Sequence, residues 1–284
     1  MMRGFWLVTT DHLEDRIWFK DEEDFKVAMN IVAILSTMIG LRIVAFVLMS
    51  NHVHFILECD KALAKIFIDR FKKMYSQYYN KKYGTNALLH RNGVDYQEVA
   101  VGDESFERAV AYVQMNSVAA NICLHPSGYP WGTGPTFFAT AQEKGDEIGS
   151  LSGRARVRLL HSKLPVPDSY RISAEGYILP SSYVPVKFVE AVFRTPKRMT
   201  WFLQNSSKAR KVKEAPAFSD QIIAAAIKDL IVSLFRKYSI RELSEEQAAE
   251  LFRQIRFRFS SNPAQIGRVC GIPYKRVCEL MEML

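Results

Sequence analysis

Two apolar runs separated by only two residues set the strongest limit on how this chain can fold. Ile43-Val44-Ala45-Phe46-Val47-Leu48-Met49 ends at Ser50-Asn51, and His52-Val53-His54-Phe55-Ile56-Leu57 begins at once. Each run reads as a strand, near 42–49 and 52–58, joined by a tight connection. Successive side chains on a strand point to opposite faces, so His52 and His54 share one face and Val53 takes the other. Two neutral imidazoles on a rigid element backed by core form a ready pair of metal ligands. The same spacing also suits two ordinary strand histidines, so other residues must decide.

The flanking pattern places this pair of strands in a sheet. Residues 4–10 form a strand rich in β-formers, and Asp21-Glu22-Glu23-Asp24 opens a helix that runs to about Gly40. A second helix spans about 61–83, with Leu63, Phe67, Phe71 and Tyr75 as an apolar stripe. Its other face carries Lys65, Arg70, Lys72 and Lys73, placed to follow a phosphate backbone. A strand within 94–101 and a third helix over about 103–122 complete the order β-α-β-β-α-β-α. That order implies an α+β fold: a ferredoxin-like antiparallel sheet with helices on one face. The other face is expected to stay open, leaving His52 and His54 accessible to a ligand.

Residues 1–135 therefore form a first domain. Residues 136–218 read as a basic connecting region, interrupted by Pro165, Pro167, Pro180, Pro185, Pro196 and Pro216. Residues 219–284 read as an all-α domain. Ser244 and Gln247 fit a capping box, and Asn262-Pro263 fits an N-cap followed by proline at the first helical position. From Gln265 the chain fits a helix-turn-helix, with Gly267 at a helix crossing and Gly271 in the turn. Ile266, Ile272, Val277 and Leu280 supply its core, and Tyr274, Lys275 and Arg276 open the would-be recognition helix. A plain helical hairpin is the competing reading.

Charge points to the partner. The chain carries +8, yet residues 1–140 hold 14 basic against 15 acidic groups while residues 151–215 hold 13 against 4. Arg154, Arg156 and Arg158 begin that basic stretch, which suits a polyanion such as nucleic acid as well as it suits a solvated surface. An apolar fraction of 48% fits a globular chain, and no run reaches the length of a membrane span. Cys59, Cys123, Cys270 and Cys278 form no C-x-x-C pair, and the N-terminus lacks a signal-peptide pattern. Reduced thiols and a cytoplasmic, nucleoid-associated location are expected.

On the third helix Tyr112 and Asn116 are four residues apart and share a face. A tyrosine there is ordinarily a core-edge residue. Beside the histidine pair, a second reading arises: His52, His54 and the Asn116 amide oxygen hold a divalent metal, and Tyr112 is a nucleophile toward phosphate. The motifs Met49-Ser50-Asn51-His52-Val53-His54, Tyr112-Val113-Gln114-Met115-Asn116 and Tyr129-Pro130-Trp131 follow the opening strand in order. Over residues 3–134 the chain thereby resembles the HUH-type single-tyrosine transposases, in their REP-associated branch.

The resemblance implies a Mg²⁺- or Mn²⁺-dependent single-stranded DNA endonuclease and strand transferase acting on hairpin-forming DNA. Tyr112 would form a covalent 5′-phosphotyrosine, with His52, His54 and Asn116 on the metal. Enzymes of this kind occur as monomers and as homodimers that share active sites, and both stay open. Two residues depart from the family pattern. Ser117 stands where proline is common, so the tyrosine helix is expected to run straighter; Ser50 replaces another proline, with little effect expected. A non-catalytic regulator reading DNA through the helix-turn-helix is the alternative. An RNA-binding sheet is a third reading, disfavoured because its face would carry histidines instead of stacking aromatics.

Overall fold

The computed structural model describes residues 4–10, 17–86, 93–140, 145–209 and 217–282. Strand β1 (Gly4–Thr9) is followed by helix α1 (Glu22–Ile39), strands β2 (Arg42–Leu48) and β3 (Val53–Cys59), helix α2 (Lys61–Tyr83) and strand β4 (Asp95–Val99). The N-caps of α1 and α2 are side-chain acceptors. Asp21 accepts from the Asp24 N–H at 2.9 Å and Asp60 from the Leu63 N–H at 2.8 Å. The strands form one sheet in the order β2-β3-β1-β4, every neighbouring pair antiparallel, which is the ferredoxin-like arrangement.

Strand alternation then divides the β3 side chains. Phe55 faces α2, with its ring 5.0 Å from Phe67 and 5.6 Å from Phe71. His54 points the opposite way, toward helix α3 (Ser105–Gln114). α1 and α2 cover one face of the sheet, and α3 lies on the other. The face expected to stand open is thus roofed where His54 lies, and His54 is fully buried.

Beyond α3 a short helix α4 (Asn116–Ala119) precedes the Tyr129-Pro130-Trp131 segment. This segment braces β2. Tyr129 donates its hydroxyl proton to the Leu48 carbonyl at 2.7 Å, the Leu48 N–H donates to the Trp131 carbonyl at 2.8 Å, and Trp131 stacks on Phe25 at 4.9 Å. Helices α5 (Gly153–Leu160), α6 (Val186–Phe193) and α7 (Pro196–Gln204) follow. Leu179, Val189, Phe193, Phe202 and Leu203 enter the same apolar core as the sheet, so this stretch is packed against the sheet and not merely strung after it.

The C-terminal helices α8 (Asp220–Phe235), α9 (Glu245–Phe259), α10 (Pro263–Cys270) and α11 (Tyr274–Glu282) enclose a core of their own, including Ile227, Phe252, Ile255, Ile266 and Val277. Both halves of the Ser244–Gln247 capping box are present. Gly271 sits at φ 65°, a conformation glycine adopts without strain, and turns α10 into α11. A Cβ at Gly267 would stand 2.8 Å from the Ile272 carbonyl oxygen, so glycine lets the turn close on α10. Among the described residues no helix is long and apolar enough to cross a membrane, and no disulfide joins the cysteines.

Candidate metal centre and tyrosine helix

The tight turn after β2 and the start of β3 bring the two imidazoles together, their ring centroids 5.0 Å apart and their planes nearly perpendicular at 88°. Each is held through Nδ1. His52 donates to Asn51 Oδ1 at 2.8 Å, and His54 is hydrogen-bonded to the Thr9 hydroxyl, across the sheet, at 2.9 Å. An amide oxygen only accepts, so the His52 proton sits on Nδ1 and the lone pair on Nε2. Burial depresses the His52 pKa to about 3, with help from the positive charges of Arg268 and Lys208 and against the opposing charge of Asp220. Burial, followed by His52 and Lys208, also holds His54 well below its ordinary range. Both rings are therefore neutral near pH 7, the form that ligates a metal.

Tyr112 meets this pair from α3. Its ring lies 5.7 Å from that of His54 at 88°, and the Lys208 ammonium lies 4.9 Å from the Tyr112 ring centroid. A cleft of ≈ 530 Å³ opens beside Tyr112, lined in part by Thr9, Gln97, Arg108 and Ser207.

Asn116 follows one turn later and is 4% exposed. Its Nδ2 donates to the carbonyls of Tyr112 at 2.9 Å and Val113 at 3.2 Å, which turns Oδ1 away from them. The third helix, expected to run unbroken over about 103–122, is interrupted here. α3 stops at Gln114 and α4 starts at Asn116, although no proline is present. The Asn116 side chain competes for the backbone carbonyls of the last turn, and the Ser117 hydroxyl donates to the Gln114 carbonyl at 3.4 Å. Asparagine and serine break this helix where proline would.

Ser50 also departs from expectation, because its hydroxyl has a task no proline could perform. It donates to the Asp220 carboxylate in a buried cluster. Asp220 is 1% exposed and also accepts from Arg268 Nε at 3.0 Å, Arg268 Nη2 at 3.2 Å and Gln265 Nε2 at 2.9 Å. Burial opposes its charge, yet Arg268 and these hydrogen bonds hold its carboxyl below the usual range. Helices α8 and α10 are thereby fastened to the turn that carries the histidines. Ser50 lay within a quoted motif; Asp220, Gln265 and Arg268 gave no local signal, since their meaning depends on contacts across about 50 to 170 positions.

The basic residues expected to meet DNA divide into two groups. Lys65, Arg70 and Lys73 on α2, Arg154 and Arg158 on α5, and Tyr274 and Lys275 on α11 are exposed. Lys72 is not: at 2% exposure it lies in the stripe Ala64–Ile68–Lys72–Ser76, whose four-residue step faces the protein. Arg156 is committed to structure. It is bonded to Asp168 at 2.5 Å, to the Gly149 carbonyl at 2.9 Å and to the Leu151 carbonyl at 3.1 Å. Arg276 is paired with Glu245 and, at 3.3 Å, with Glu279. The end of the basic stretch, with Arg210, Lys211 and Lys213, lies outside the described residues.

Residues 13–116, about a third of the chain, match the family model described as "Transposase IS200 like". The matched segment contains the histidine pair, Tyr112 and Asn116. Among solved structures, one described as "Structure of the REP associates tyrosine transposase bound to a REP hairpin" is similar to this chain. It is 13% identical over 49% of this chain and 82% of its own, with a TM-score of 0.37. No curated protein matches the chain.

Proposed function

We propose that the protein cleaves and rejoins single-stranded DNA beside a hairpin, through a tyrosine-linked intermediate. The observation that carries this reading is the edge contact of the Tyr112 ring with His54, itself packed on His52 in a neutral histidine pair. The donor set fits a divalent metal such as Mg²⁺ or Mn²⁺. Two neutral imidazoles held through Nδ1 and the Asn116 amide oxygen carry no net charge, leaving the cation free to attract a phosphate. When bound, the metal would polarise the scissile phosphate.

The chain's own groups would do the rest. Tyr112 Oη gives up its proton and attacks phosphorus, a new Oη–P bond forms and the P–O3′ bond breaks. The 3′ oxygen leaves and takes up a proton, and the 5′ phosphate stays on Tyr112. Attack of a 3′-hydroxyl on that phosphotyrosine restores a phosphodiester without ATP. The cleft beside Tyr112 lies within the size range of small-ligand sites and admits a nucleotide. Tyr274 and Lys275, exposed at the start of α11 behind the Gly271 turn, suit contact with duplex DNA.

Incubation with hairpin oligonucleotides drawn from palindromes flanking the gene, with Mn²⁺ or Mg²⁺, tests the reading. A covalent protein–DNA adduct is expected, and it should vanish in Tyr112→Phe. No adduct, or an equal adduct in that variant, would overturn the proposal. The non-catalytic regulator predicts instead that His52→Ala leaves DNA-dependent function intact while Lys275→Ala removes it.

A further inference from the structure

The sequence gives no special standing to Lys208, which belongs to the basic stretch well beyond the family-matched segment. The fold brings it back to the tyrosine. After α7 ends at Gln204 the chain turns on Ser206, whose carbonyl accepts from the Ala209 N–H at 2.8 Å and whose hydroxyl accepts from the Lys208 N–H at 3.3 Å. The turn sets the Lys208 Nζ 4.9 Å from the Tyr112 ring centroid, and its charge acts on His52 and His54 alike. One ammonium thus stands on the ring of the tyrosine, whose edge meets His54 at 5.7 Å between ring centroids.

Its surroundings differ from those of the other nearby cation. Arg268 is neutralised by Asp220. Among the described residues no carboxylate pairs with Lys208, and its recorded partner is the face of Tyr112. A cation–π contact accounts for part of this placement, about 0.5–2 kcal/mol. It does not explain why an ammonium with no carboxylate partner among the described residues stands on the tyrosine next to ligands that would themselves hold a cation. Two positive charges converging on one point repel unless an anion lies between them. The anion that the proposed reaction brings to that point is the DNA phosphate.

Resting on the proposed function, we infer that Lys208 is a catalytic residue whose ammonium holds a non-bridging oxygen of the scissile phosphate. As Tyr112 attacks, negative charge on those oxygens grows, and a fixed cation stabilises the transition state more than the ground state. The ammonium keeps its proton throughout. The bond changes remain those of the strand exchange: Oη–P forms and P–O3′ breaks.

The test uses the full chain. The cleavage position is first mapped with the wild-type protein on the flanking hairpin oligonucleotides. In Lys208→Ala the rate of adduct formation should fall about 100-fold, the scale of losing one transition-state electrostatic contact, and Lys208→Arg should recover most of it. A binding arm separates phosphate contact from support of Tyr112. In a Tyr112→Phe background, Lys208→Ala should weaken binding of the natural oligonucleotide about tenfold. It should leave unchanged the binding of one carrying an uncharged methylphosphonate at the mapped position.

Equal weakening on both oligonucleotides, or a wild-type rate in Lys208→Ala, would overturn the assignment while leaving the Tyr112 adduct standing. Absence of any adduct with the wild-type protein would overturn both readings. Unchanged thermal unfolding in Lys208→Ala guards against misfolding.

Discussion

His52 and His54 are held as neutral bases, and that has a measurable consequence. Each binds a proton less readily in the folded chain than at its ordinary value of 6.5, His52 only near pH 3. Between those values the unfolded chain holds more protons, so stability falls as pH drops below 6.5 and is fully present above it. Thermal unfolding followed from pH 7 to 4 should show a declining Tm, and His52→Gln/His54→Asn should flatten part of that decline. At pH 7, Mn²⁺ should raise the Tm of the wild-type chain by binding the native state, and His54→Ala should abolish the increase. The pair was legible in the sequence because a two-residue step at the start of a strand brings His52 and His54 to one side, although His52 itself lies just before β3. The burial of Lys72 was less so: a lysine in a four-residue stripe reads as polar until the opposing core is known. The ion pairs of Arg156 and Arg276 were hidden for a related reason, since Asp168 and Glu245 reach them from other segments.

At the level of elements, order and pairing followed from pattern, whereas interruptions followed from side chains. The strand–helix order of the first domain and the capping residues of α9 and α10 were legible, because each depends on neighbours a few positions away. The break in the tyrosine helix was not, because the sequence lacks the proline that usually announces one. Asn116 makes the break, so Asn116→Asp should be costly even though it keeps an oxygen. The variant loses the donor to two carbonyls and places a carboxylate against them, a cost of about 1–3 kcal/mol. Denaturant unfolding should show that loss, and Mn²⁺ should recover part of it by offsetting the added charge. The packing of α6 and α7 onto the sheet was equally hidden, since prolines at 185 and 196 read as interruptions but serve as helix starts.

For the molecule as a whole, the decisive contact is the cluster of Ser50, Asp220, Gln265 and Arg268. It joins the histidine turn to helices with a separate core, and nothing local announced it. Asp220→Ala would leave the Arg268 guanidinium partly buried and uncompensated, and removal of one partner from such a pair costs about 3–5 kcal/mol. Denaturant unfolding should show a loss of that size. Asp220→Ala/Arg268→Met should lose less than the two single variants summed, because the pair acts as one unit.

That buried cluster also makes the protein a ruler. α10 is bonded through Asp220 to the turn bearing His52, and α11 follows α10 across a single tight turn. If α11 grips duplex DNA, the distance from that grip to Tyr112 is set by the protein and not by a slack tether. DNA must then match it in both length and helical phase. Inserting about five base pairs, half a helical turn, between the bound duplex and the cleavage position should abolish joint engagement, whereas about ten should restore the phase but not the length.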